Sequence, residues 1–335
     1  MKICLYGVGA VGGFIGANLG RTGCKLSAVE VGRTLEALRT HGLRVQTKDE
    51  LLQQPIRATD NPAELGVQDL IVVAVKGPTL VEVAKHIAPL IGPETLIMQA
   101  MNGVPWWFFH GFGGQYAGMR LESVDPGGTI AAAIPTRHII GCVILGGFSS
   151  IEPGFVRHSA GKLLIIGEPD GSDSERLRKL AALLLKATFE VQVSQRIQYD
   201  IWHKLLGNMA MNPVSAVTGA TLDLLLDDPL VARFCLNVME EAKRIGNKFG
   251  CVIKESDEDR KAVTRKLGAF KTSMLQDVEA GKPVELDSFL GVVREIGEKV
   301  DEPTPNIDIL FGLARLHAQV HGLYPHPERT AKVGA

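Results

Sequence analysis

Near its amino terminus the chain places a short apolar segment directly before a glycine-rich turn. Residues 3–6 read Ile-Cys-Leu-Tyr, residues 7–12 read Gly-Val-Gly-Ala-Val-Gly, and an apolar helical segment follows. In G-x-G-x-x-G the first glycine permits a tight turn, the second lets the backbone approach a pyrophosphate, and the third lets the helix pack on the strand. The N–H groups that open the helix attract phosphates. The pattern predicts binding of a nicotinamide or flavin dinucleotide by Gly7, Val8, Gly9, Ala10, Val11 and Gly12.

A second apolar strand ends at an acidic residue. Residues 25–29 lead into Glu30, and Arg33 follows three positions later. A carboxylate at this place favours the free ribose 2′-hydroxyl of NAD(H) and repels the 2′-phosphate of NADP(H). Glu30 and Arg33 are therefore candidate cofactor-binding residues.

The first half of the chain alternates continuously apolar runs with helical patterns. Such runs are typical of parallel strands buried on both faces, and the alternation predicts an α/β, doubly wound Rossmann domain. The predicted strands are 2–6, 25–30, 70–75, 95–100, 139–148, 154–157 and 162–167, and the predicted helices are 11–22, 33–40 and 78–90.

From about Arg196 the pattern becomes almost entirely helical. The predicted helices are 197–217, 228–249, 257–279, 286–299 and 305–321. We therefore expect a dinucleotide-binding domain at 1–195 and an all-α substrate and catalytic domain at 196–325, with a cleft between them. The segment 103–138 fits neither pattern. Its run Trp-Trp-Phe-Phe at 106–109 either fills a core or forms a lid or pocket wall, and the sequence leaves both open.

Bulk properties exclude several classes of function. The chain has 335 residues, a mixed charge pattern and a net charge of −1, so it lacks the basic patch of proteins that bind nucleic acid or anionic membranes. No apolar run reaches the ~20 residues of a membrane span. The five cysteines form no C-x-x-C pair, which predicts neither a zinc site nor a disulfide framework and favours a cytoplasmic protein.

A poorly ordered tail is expected from Tyr324 on.

Two polar residues follow predicted strands in the first half. Lys76 comes after the run at 70–75, and Asn102 comes after the run at 95–100. Ligands of doubly wound sheets bind beyond the carboxyl ends of the strands. Both side chains are therefore candidates for the cofactor site, although either could be an ordinary solvated loop residue.

In the second half a polar stripe crosses an apolar helix. Lys204, Asn208 and Asn212 follow one another at intervals of four, so they lie on one helix face, and their neighbours are mostly apolar. A lysine in such a place could protonate a developing alkoxide, and the amides could hold a hydroxyl or carbonyl group. The alternative is a set of buried polar groups bonded to one another.

Other candidates have ordinary explanations when taken alone. Glu285 lies at a predicted helix start, where the helix dipole favours an acidic residue, and Ser273 is a common helix serine. The pair His317 and His321 has the i, i+4 spacing of metal ligands, but no acidic motif accompanies it. We therefore interpret the pair as a helix face and predict no metal site.

Several motifs in order along the chain resemble the ketopantoate reductases, which share a helical domain with 6-phosphogluconate dehydrogenase. The matching segments are G-V-G-A-V-G at 7–12, V-K at 75–76, M-N-G at 101–103, W-H-K-L-L-G-N-M-A-M-N-P at 202–213 and S-M-L-Q-D at 273–277, with Glu285 beyond them. The resemblance implies reduction of 2-dehydropantoate to pantoate, a step toward pantothenate, with NADP(H) as cofactor.

The same resemblance implies roles for individual residues. Lys204 would be the general acid, Glu285 would hold the substrate hydroxyl and orient Lys204, and Ser273 would hold the substrate carboxylate. Asn208 and Asn212 would contact the substrate, a small 2-oxoacid. Lys76 and Asn102 would lie at the cofactor and the active centre.

The chain departs from the family pattern at three places. Val31 stands where the family places an arginine for the 2′-phosphate, so Glu30 makes NAD(H) the alternative cofactor. An asparagine that some members carry beyond the N-P block is absent, and the aromatic segment 103–138 is long. The alternatives are a related reductase of a bulkier 2-oxoacid, with Trp106 and Trp107 lining its pocket, and a non-catalytic dinucleotide sensor. The long C-terminal helices could support a homodimer.

Overall fold

The computed structural model describes residues 1–326, which divide into two compact units. The first unit comprises Met1–Arg120 and Asp125–Asp200, and the second comprises Leu121–Val124 and the chain from Ile201 on. Of the tail predicted to be poorly ordered, residues 327–335 lie outside the described residues. Tyr324 belongs to the described residues, and its hydroxyl donates a hydrogen bond of 2.7 Å to the carboxylate of Asp287.

A mixed sheet forms the centre of the first unit. Ten strands of the described residues build it, and their order is β4-β3-β9-β8-β7-β6-β1-β2-β5, with β10 also paired to β9. The strands are β1 (Lys2–Tyr6), β2 (Lys25–Val29), β3 (Leu43–Gln46), β4 (Leu51–Gln54), β5 (Arg57–Thr59), β6 (Leu70–Val73), β7 (Leu96–Gln99), β8 (Ile139–Glu152), β9 (Phe155–Gly167) and β10 (Glu190–Val193).

The central strands β2, β1, β6, β7 and β8 run parallel to one another. Almost all residues of β2, β1, β6 and β7 are buried, as is the first half of β8, which agrees with the continuously apolar runs, because helices cover parallel sheets on both faces. These helices are α1 (Ala10–Gly20), α2 (Gly32–His41), α3 (Leu80–His86), α4 (Thr129–Ala133) and α5 (Glu175–Lys186). The α/β prediction for this half of the chain is confirmed.

The far side of the sheet differs from its prediction. The separate strands expected at 154–157 and 162–167 are one strand, β9, which forms a long antiparallel hairpin with β8. Gly161 has φ +67° inside β9, and the register with β8 shifts on both sides of Gly147, so the strand continues through its polar middle by means of bulges. Strands β3, β4, β5 and β10 and helices α4 and α5 were not predicted from the sequence.

Aromatic residues of the segment 103–138 fill the core of the first unit. Trp107, Phe108 and Phe109 are at most 1% exposed. The indole N–H of Trp107 donates to the side-chain carbonyl of Gln99 at the end of β7. Of the two interpretations of this run, the structure therefore favours core filling.

The second unit is helical, as predicted. Its helices are α6 (Ile197–Thr218, which begins in the first unit), α7 (Leu222–Asp227), α8 (Pro229–Lys248), α9 (Asp257–Arg265), α10 (Ser273–Glu279), α11 (Val292–Lys299) and α12 (Pro305–Val320). A π-helical turn, Asp287–Gly291, precedes α11. The single helix expected at 257–279 is wrong. Gly268 takes φ +60° between α9 and α10, and the Thr272 side chain caps α10.

The long helices α6 and α8 pack together through buried side chains. The indole N–H of Trp202 donates to the carbonyl of Ala242 at 3.2 Å, and the Trp202 ring meets Phe249 edge to face at 5.0 Å between centroids. A Cβ on Gly246 would lie 2.5 Å from the Trp202 indole nitrogen. Among residues 1–326, no helix is long and apolar enough to cross a membrane.

The close packing of α1 on the sheet predicts a large effect at Gly12. A Cβ there would collide with the carbonyl oxygen of Gly7 and lie 3.1 Å from the Cβ of Ala74. Gly12→Ala should lower the free energy of unfolding by about 1–3 kcal/mol, despite the gain in helix propensity, because a backbone atom must move. Urea unfolding measures the change. Gly9→Ala is the control, since its Cβ would meet nothing within 4 Å. Equal stability of the two variants would contradict the packing account.

The buried indole of Trp107 gives a second prediction. Trp107→Phe should destabilise the protein more than Trp106→Phe, by about 1 kcal/mol, because only Trp107 leaves a former partner, Gln99, unsatisfied. Trp106 is a matched control: it is also buried, and its indole nitrogen has no hydrogen-bond partner. Thermal unfolding of both variants makes the comparison. An unchanged melting temperature for Trp107→Phe would contradict the assignment of this residue to the core.

Candidate active site

The glycine turn of the first unit has the conformation that its sequence predicted. Gly7 takes φ +90°, and a Cβ there would lie 2.7 Å from Val75 and 2.9 Å from the carbonyl oxygen of Ala74. Its N–H donates to the carbonyl of Val29 at 3.2 Å. A side chain at Gly7 would therefore be strained and would collide with the neighbouring loop, which explains why glycine is needed there.

Gly9 has a different environment. It is exposed, it precedes the first residue of α1, and a Cβ there would meet no atom within 4 Å. No side chain in the described structure caps α1 at this position. The protein itself therefore gives no steric reason for glycine at Gly9, whereas a pyrophosphate lying against the backbone would give one. The turn fits a dinucleotide.

Glu30, which directly follows β2, is hydrogen-bonded to the glycine turn. Its carboxylate accepts a hydrogen bond of 2.6 Å from the N–H of Val8 and one of 3.1 Å from the N–H of Val31. The side chain is thus held between the glycine turn and the end of β2. This is the place from which an acidic residue can reach a ribose 2′-hydroxyl. Arg33 is exposed on the first turn of α2.

The strand register explains how the other cofactor candidates share one edge of the sheet. Tyr6 pairs with Val29 and with Val73, and Val73 pairs with Gln99, so four parallel strands end in one row. The glycine turn and Glu30 directly follow this row. Lys76 and Asn102 each come three residues after it, and both are half-buried. The structure thus places all of the predicted cofactor-binding residues beyond the carboxyl ends of adjacent strands.

The predicted polar stripe lies on α6 in the second unit. Lys204 and Asn208 are half-buried, and Asn212 is 7% exposed. The residues around them are fully buried: Leu205, Leu206, Met209, Ala210 and Met211. Pro213, which has no N–H, interrupts the hydrogen-bond ladder of α6 one residue after Asn212. The stripe is therefore a set of polar groups on an otherwise apolar helix.

Glu285 immediately precedes a helical segment, as expected, and is 7% exposed. The π-helical turn begins two residues later at Asp287. Burial raises the pKa of the Asp287 carboxyl, which accepts the hydrogen bond from Tyr324. Turns of this kind often occur at functional sites. Two carboxyl groups therefore lie close in sequence, and that of Asp287 is bonded to Tyr324.

Ser273 is the first residue of α10 and is exposed. The neighbouring Thr272, not Ser273, caps this helix, since its hydroxyl accepts the N–H of Leu275 at 3.2 Å. The hydroxyl of Ser273 is therefore not needed for capping. All five candidate catalytic and substrate-binding residues lie in the second unit, three of them on one helix.

An ionic cluster that was not predicted from the sequence lies against His203 on α6. The guanidinium of Arg260 on α9 forms an ion pair with Glu255 and donates to the backbone carbonyl of His203 at 3.3 Å. It also lies 3.6 Å from the position of a Cβ on Gly207. Burial lowers the pKa of Arg260, and Glu255 opposes this shift. No sequence signal joins these residues, because more than fifty positions separate Arg260 from His203.

Metal binding finds no support in the described residues. No group of three or more His, Cys, Asp or Glu residues gathers there in a way that could hold an ion. The rings of His317 and His321, at the carboxyl-terminal end of α12, lie 4.3 Å apart between centroids and are tilted by 35°.

Comparison with known proteins agrees with the motifs. The family model described as "Ketopantoate reductase PanE/ApbA" matches residues 3–106, and the model of its C-terminal part matches residues 196–318. A 2-dehydropantoate 2-reductase of Mesorhizobium japonicum is 41% identical, with 97% of this chain and 100% of that protein covered.

Solved structures share the fold as well. A crystal structure of a ketopantoate reductase candidate from Ralstonia solanacearum MolK2 is 54% identical, with a TM-score of 0.93 and coverage of 96% of this chain and 99% of the other. A D-mandelate dehydrogenase in ternary complex with NADH and anilino(oxo)acetate has a TM-score of 0.83 at 18% identity and covers 96% of this chain and 100% of its own, which shows a common fold only. The chain belongs to the ketopantoate reductase family, whose members are oxidoreductases that use a nicotinamide dinucleotide.

Proposed function

We propose that this protein is a 2-dehydropantoate 2-reductase that uses NADH. The observation that carries the reaction type is the polar stripe of α6 with the buried Glu285, in a chain whose other unit has a glycine turn fitted to a dinucleotide. In this proposal residues 1–195 bind the cofactor and residues 196–325 hold the substrate.

The reduction needs a hydride and a proton. The bound dinucleotide would supply the hydride to the carbonyl carbon of the 2-oxoacid. Lys204 would donate the proton to the carbonyl oxygen, so that a ketone becomes a secondary alcohol, and solvent would restore the lysine proton afterwards. Asn208 and Asn212 would bind the substrate from the same helix face.

Two further residues would hold the ends of the substrate. Glu285 would accept a hydrogen bond from the substrate hydroxyl and help to orient Lys204. The exposed hydroxyl of Ser273 would donate to the substrate carboxylate. Lys76 and Asn102 would lie beside the cofactor, which agrees with their position three residues beyond paired strand ends.

The preference for NADH rests on Glu30. Its carboxylate lies within 2.6 Å of a backbone nitrogen of the glycine turn, so it remains close to any ribose bound there. A 2′-phosphate at that ribose would bring like charges together. Val31, at the position where the family usually has an arginine, is 67% exposed and offers no cation. We also propose that the protein acts in the cytoplasm.

Removal of the lysine amine should abolish the proton-transfer contribution. Lys204→Gln should lower kcat for 2-dehydropantoate about 10²–10⁴-fold, because general acid catalysis contributes that much. NADH binding, followed by cofactor fluorescence, should stay unchanged. Lys179→Gln is the control, since that lysine is exposed on α5. Turnover of Lys204→Gln equal to that of the native protein would contradict the role.

Removal of the charge at Glu30 should shift cofactor choice. In Glu30→Gln the amide oxygen can still accept the Val8 N–H, so the glycine turn keeps its hydrogen bond while the charge is lost. The ratio of kcat/KM for NADH to that for NADPH should fall about tenfold, equivalent to ~1.4 kcal/mol. The control is Glu36→Gln, an exposed position on α2. A native protein that already prefers NADPH would contradict the assignment.

A further inference from the structure

Residues 322–325, which follow α12 and which we name the C-terminal segment, turn back on the helix through hydrogen bonds. The N–H of Gly322 donates to the carbonyl of Gln319 at 3.1 Å, and the N–H of Leu323 donates to the carbonyl of Ala318 at 2.7 Å. These two bonds form the Schellman motif that ends many helices. The side chain of Gln319 also donates to the carbonyl of the last residue of the segment at 2.9 Å. The C-terminal segment is therefore held in a defined conformation.

The C-terminal segment is bonded to the chain on both sides of Glu285. The carbonyl of Leu323 accepts the N–H of Val284 at 3.1 Å, and the hydroxyl of Tyr324 donates to the carboxylate of Asp287 at 2.7 Å. Leu323 and Val284 are both buried, so water competes little for the backbone bond between them. The residue before Glu285 and the second residue after it are thus tied to the same short segment.

Tyr324 stabilises the carboxylate of Asp287 at the residue where the π-helical turn begins. The oxygen that accepts the Tyr324 hydroxyl lies 3.2 Å from the position of a Cβ on Gly291, at the other end of this turn. Burial raises the pKa of Asp287, whereas the hydrogen bond from Tyr324 and the nearby Arg315 cation lower it. Burial and the Asp287 carboxylate raise the pKa of Tyr324, so the phenol keeps the proton that it donates.

The backbone of Glu285 is joined to the same turn. Its carbonyl accepts a hydrogen bond of 3.3 Å from the hydroxyl of Ser288, and its side chain is 7% exposed. Without the Tyr324 hydroxyl, the Asp287 carboxylate would turn toward water, since a carboxylate that loses a buried donor is costly to keep there. The start of the π-helical turn would move with it. A functional side chain must be held within about 0.5 Å of its productive place, so Glu285 would lose its alignment.

We propose that Tyr324 is a positioning residue, whose hydrogen bond to Asp287 holds the Glu285 carboxylate where it accepts the substrate hydroxyl. Tyr324 acts through Asp287 and not on the substrate itself. The inference rests on the proposed function, because the role of Glu285 comes from that proposal.

Selectivity between two substrates tests the role of Tyr324. The first is 2-dehydropantoate, and the second is trimethylpyruvate, the same 2-oxoacid with a hydrogen in place of the hydroxyl. In Tyr324→Phe the ratio of kcat/KM for 2-dehydropantoate to that for trimethylpyruvate should fall about tenfold, because only the first substrate has a hydroxyl for Glu285 to hold. An equal loss with both substrates would indicate a merely structural role and overturn the proposal, and so would an unchanged ratio.

Three further variants control this comparison. Tyr116→Phe removes the hydroxyl of another half-buried tyrosine, in the first unit, and should leave the ratio unchanged. Asp287→Asn should keep most of the selectivity that Asp287→Ala loses, because the amide oxygen can still accept the Tyr324 hydroxyl. Equal losses in the two Asp287 variants would contradict the proposal.

A double-variant cycle tests whether Tyr324 acts through Glu285. In a Glu285→Ala background, Tyr324→Phe should not lower the selectivity ratio further, since both changes remove the same interaction with the substrate hydroxyl. A further tenfold fall in that background would show that Tyr324 acts by another route and would overturn the proposal.

Hydrogen exchange of the backbone amides at 284–291, followed by mass spectrometry, gives a readout that needs no turnover. Exchange there should be faster in Tyr324→Phe than in the native protein and in Tyr116→Phe, with the rest of the second unit unchanged. Unchanged exchange at 284–291 would overturn the proposal. A native protein that reduces neither 2-oxoacid would contradict the proposed function instead, and the exchange comparison would still decide whether Tyr324 holds the segment around Glu285.

Discussion

The approach of α1 to the sheet is the constraint on which the first unit depends. Gly12 lies against the carbonyl of Gly7, and Gly16 lies against the Leu5 side chain, so the helix starts directly above the end of β1. The contact between Gly12 and Gly7 joins two backbone segments. The packing of α1 on the sheet therefore fixes the position of the glycine turn. Glu30 then holds the turn from the side through the N–H of Val8. A rigid, uncapped helix start is what a pyrophosphate site requires.

The register of the parallel strands extends the same constraint to the other cofactor candidates. Neighbouring strands that end in one row deliver the residues after them to one edge, and Lys76 and Asn102 are equally far beyond that row. In the second unit one helix has a similar role. The buried side chains of α6 anchor it on α8, and this anchoring fixes where its polar stripe lies. In both units the candidate functional side chains are positioned by elements whose packing is mainly apolar.

The sequence predicted those parts of the fold in which one periodicity dominates. The central strands are continuously apolar and the helices of the second unit are strongly periodic. The type of secondary structure was therefore predicted correctly for both. The strands β3 and β4 were missed because they are short and include polar residues such as Arg44 and Gln53. The length of β9 was missed because a Gly161 inside a strand is indistinguishable from a turn until its partner strand is known.

In the candidate site, too, the features local in sequence were predicted and the contacts between distant residues were not. Lys204, Asn208 and Asn212 were predicted to share a face, since their spacing is local to one helix. The Glu255–Arg260 ion pair could not be predicted, because it joins a loop and a helix to the carbonyl of His203 on α6 across long separations in sequence. The bond between Val8 and Glu30 is also non-local, and its geometry makes the argument for NADH stronger than the identity of Glu30 alone.

The most direct test of the central claim is the rate of NADH oxidation at 340 nm by the purified native protein. The assay compares 2-dehydropantoate with a 2-oxoacid that has an aromatic side chain. The account predicts rapid oxidation with 2-dehydropantoate and a much lower kcat/KM for the aromatic 2-oxoacid, because Trp107 and the two phenylalanines after it are committed to the core. Turnover of the aromatic 2-oxoacid with none of 2-dehydropantoate would contradict the proposed substrate.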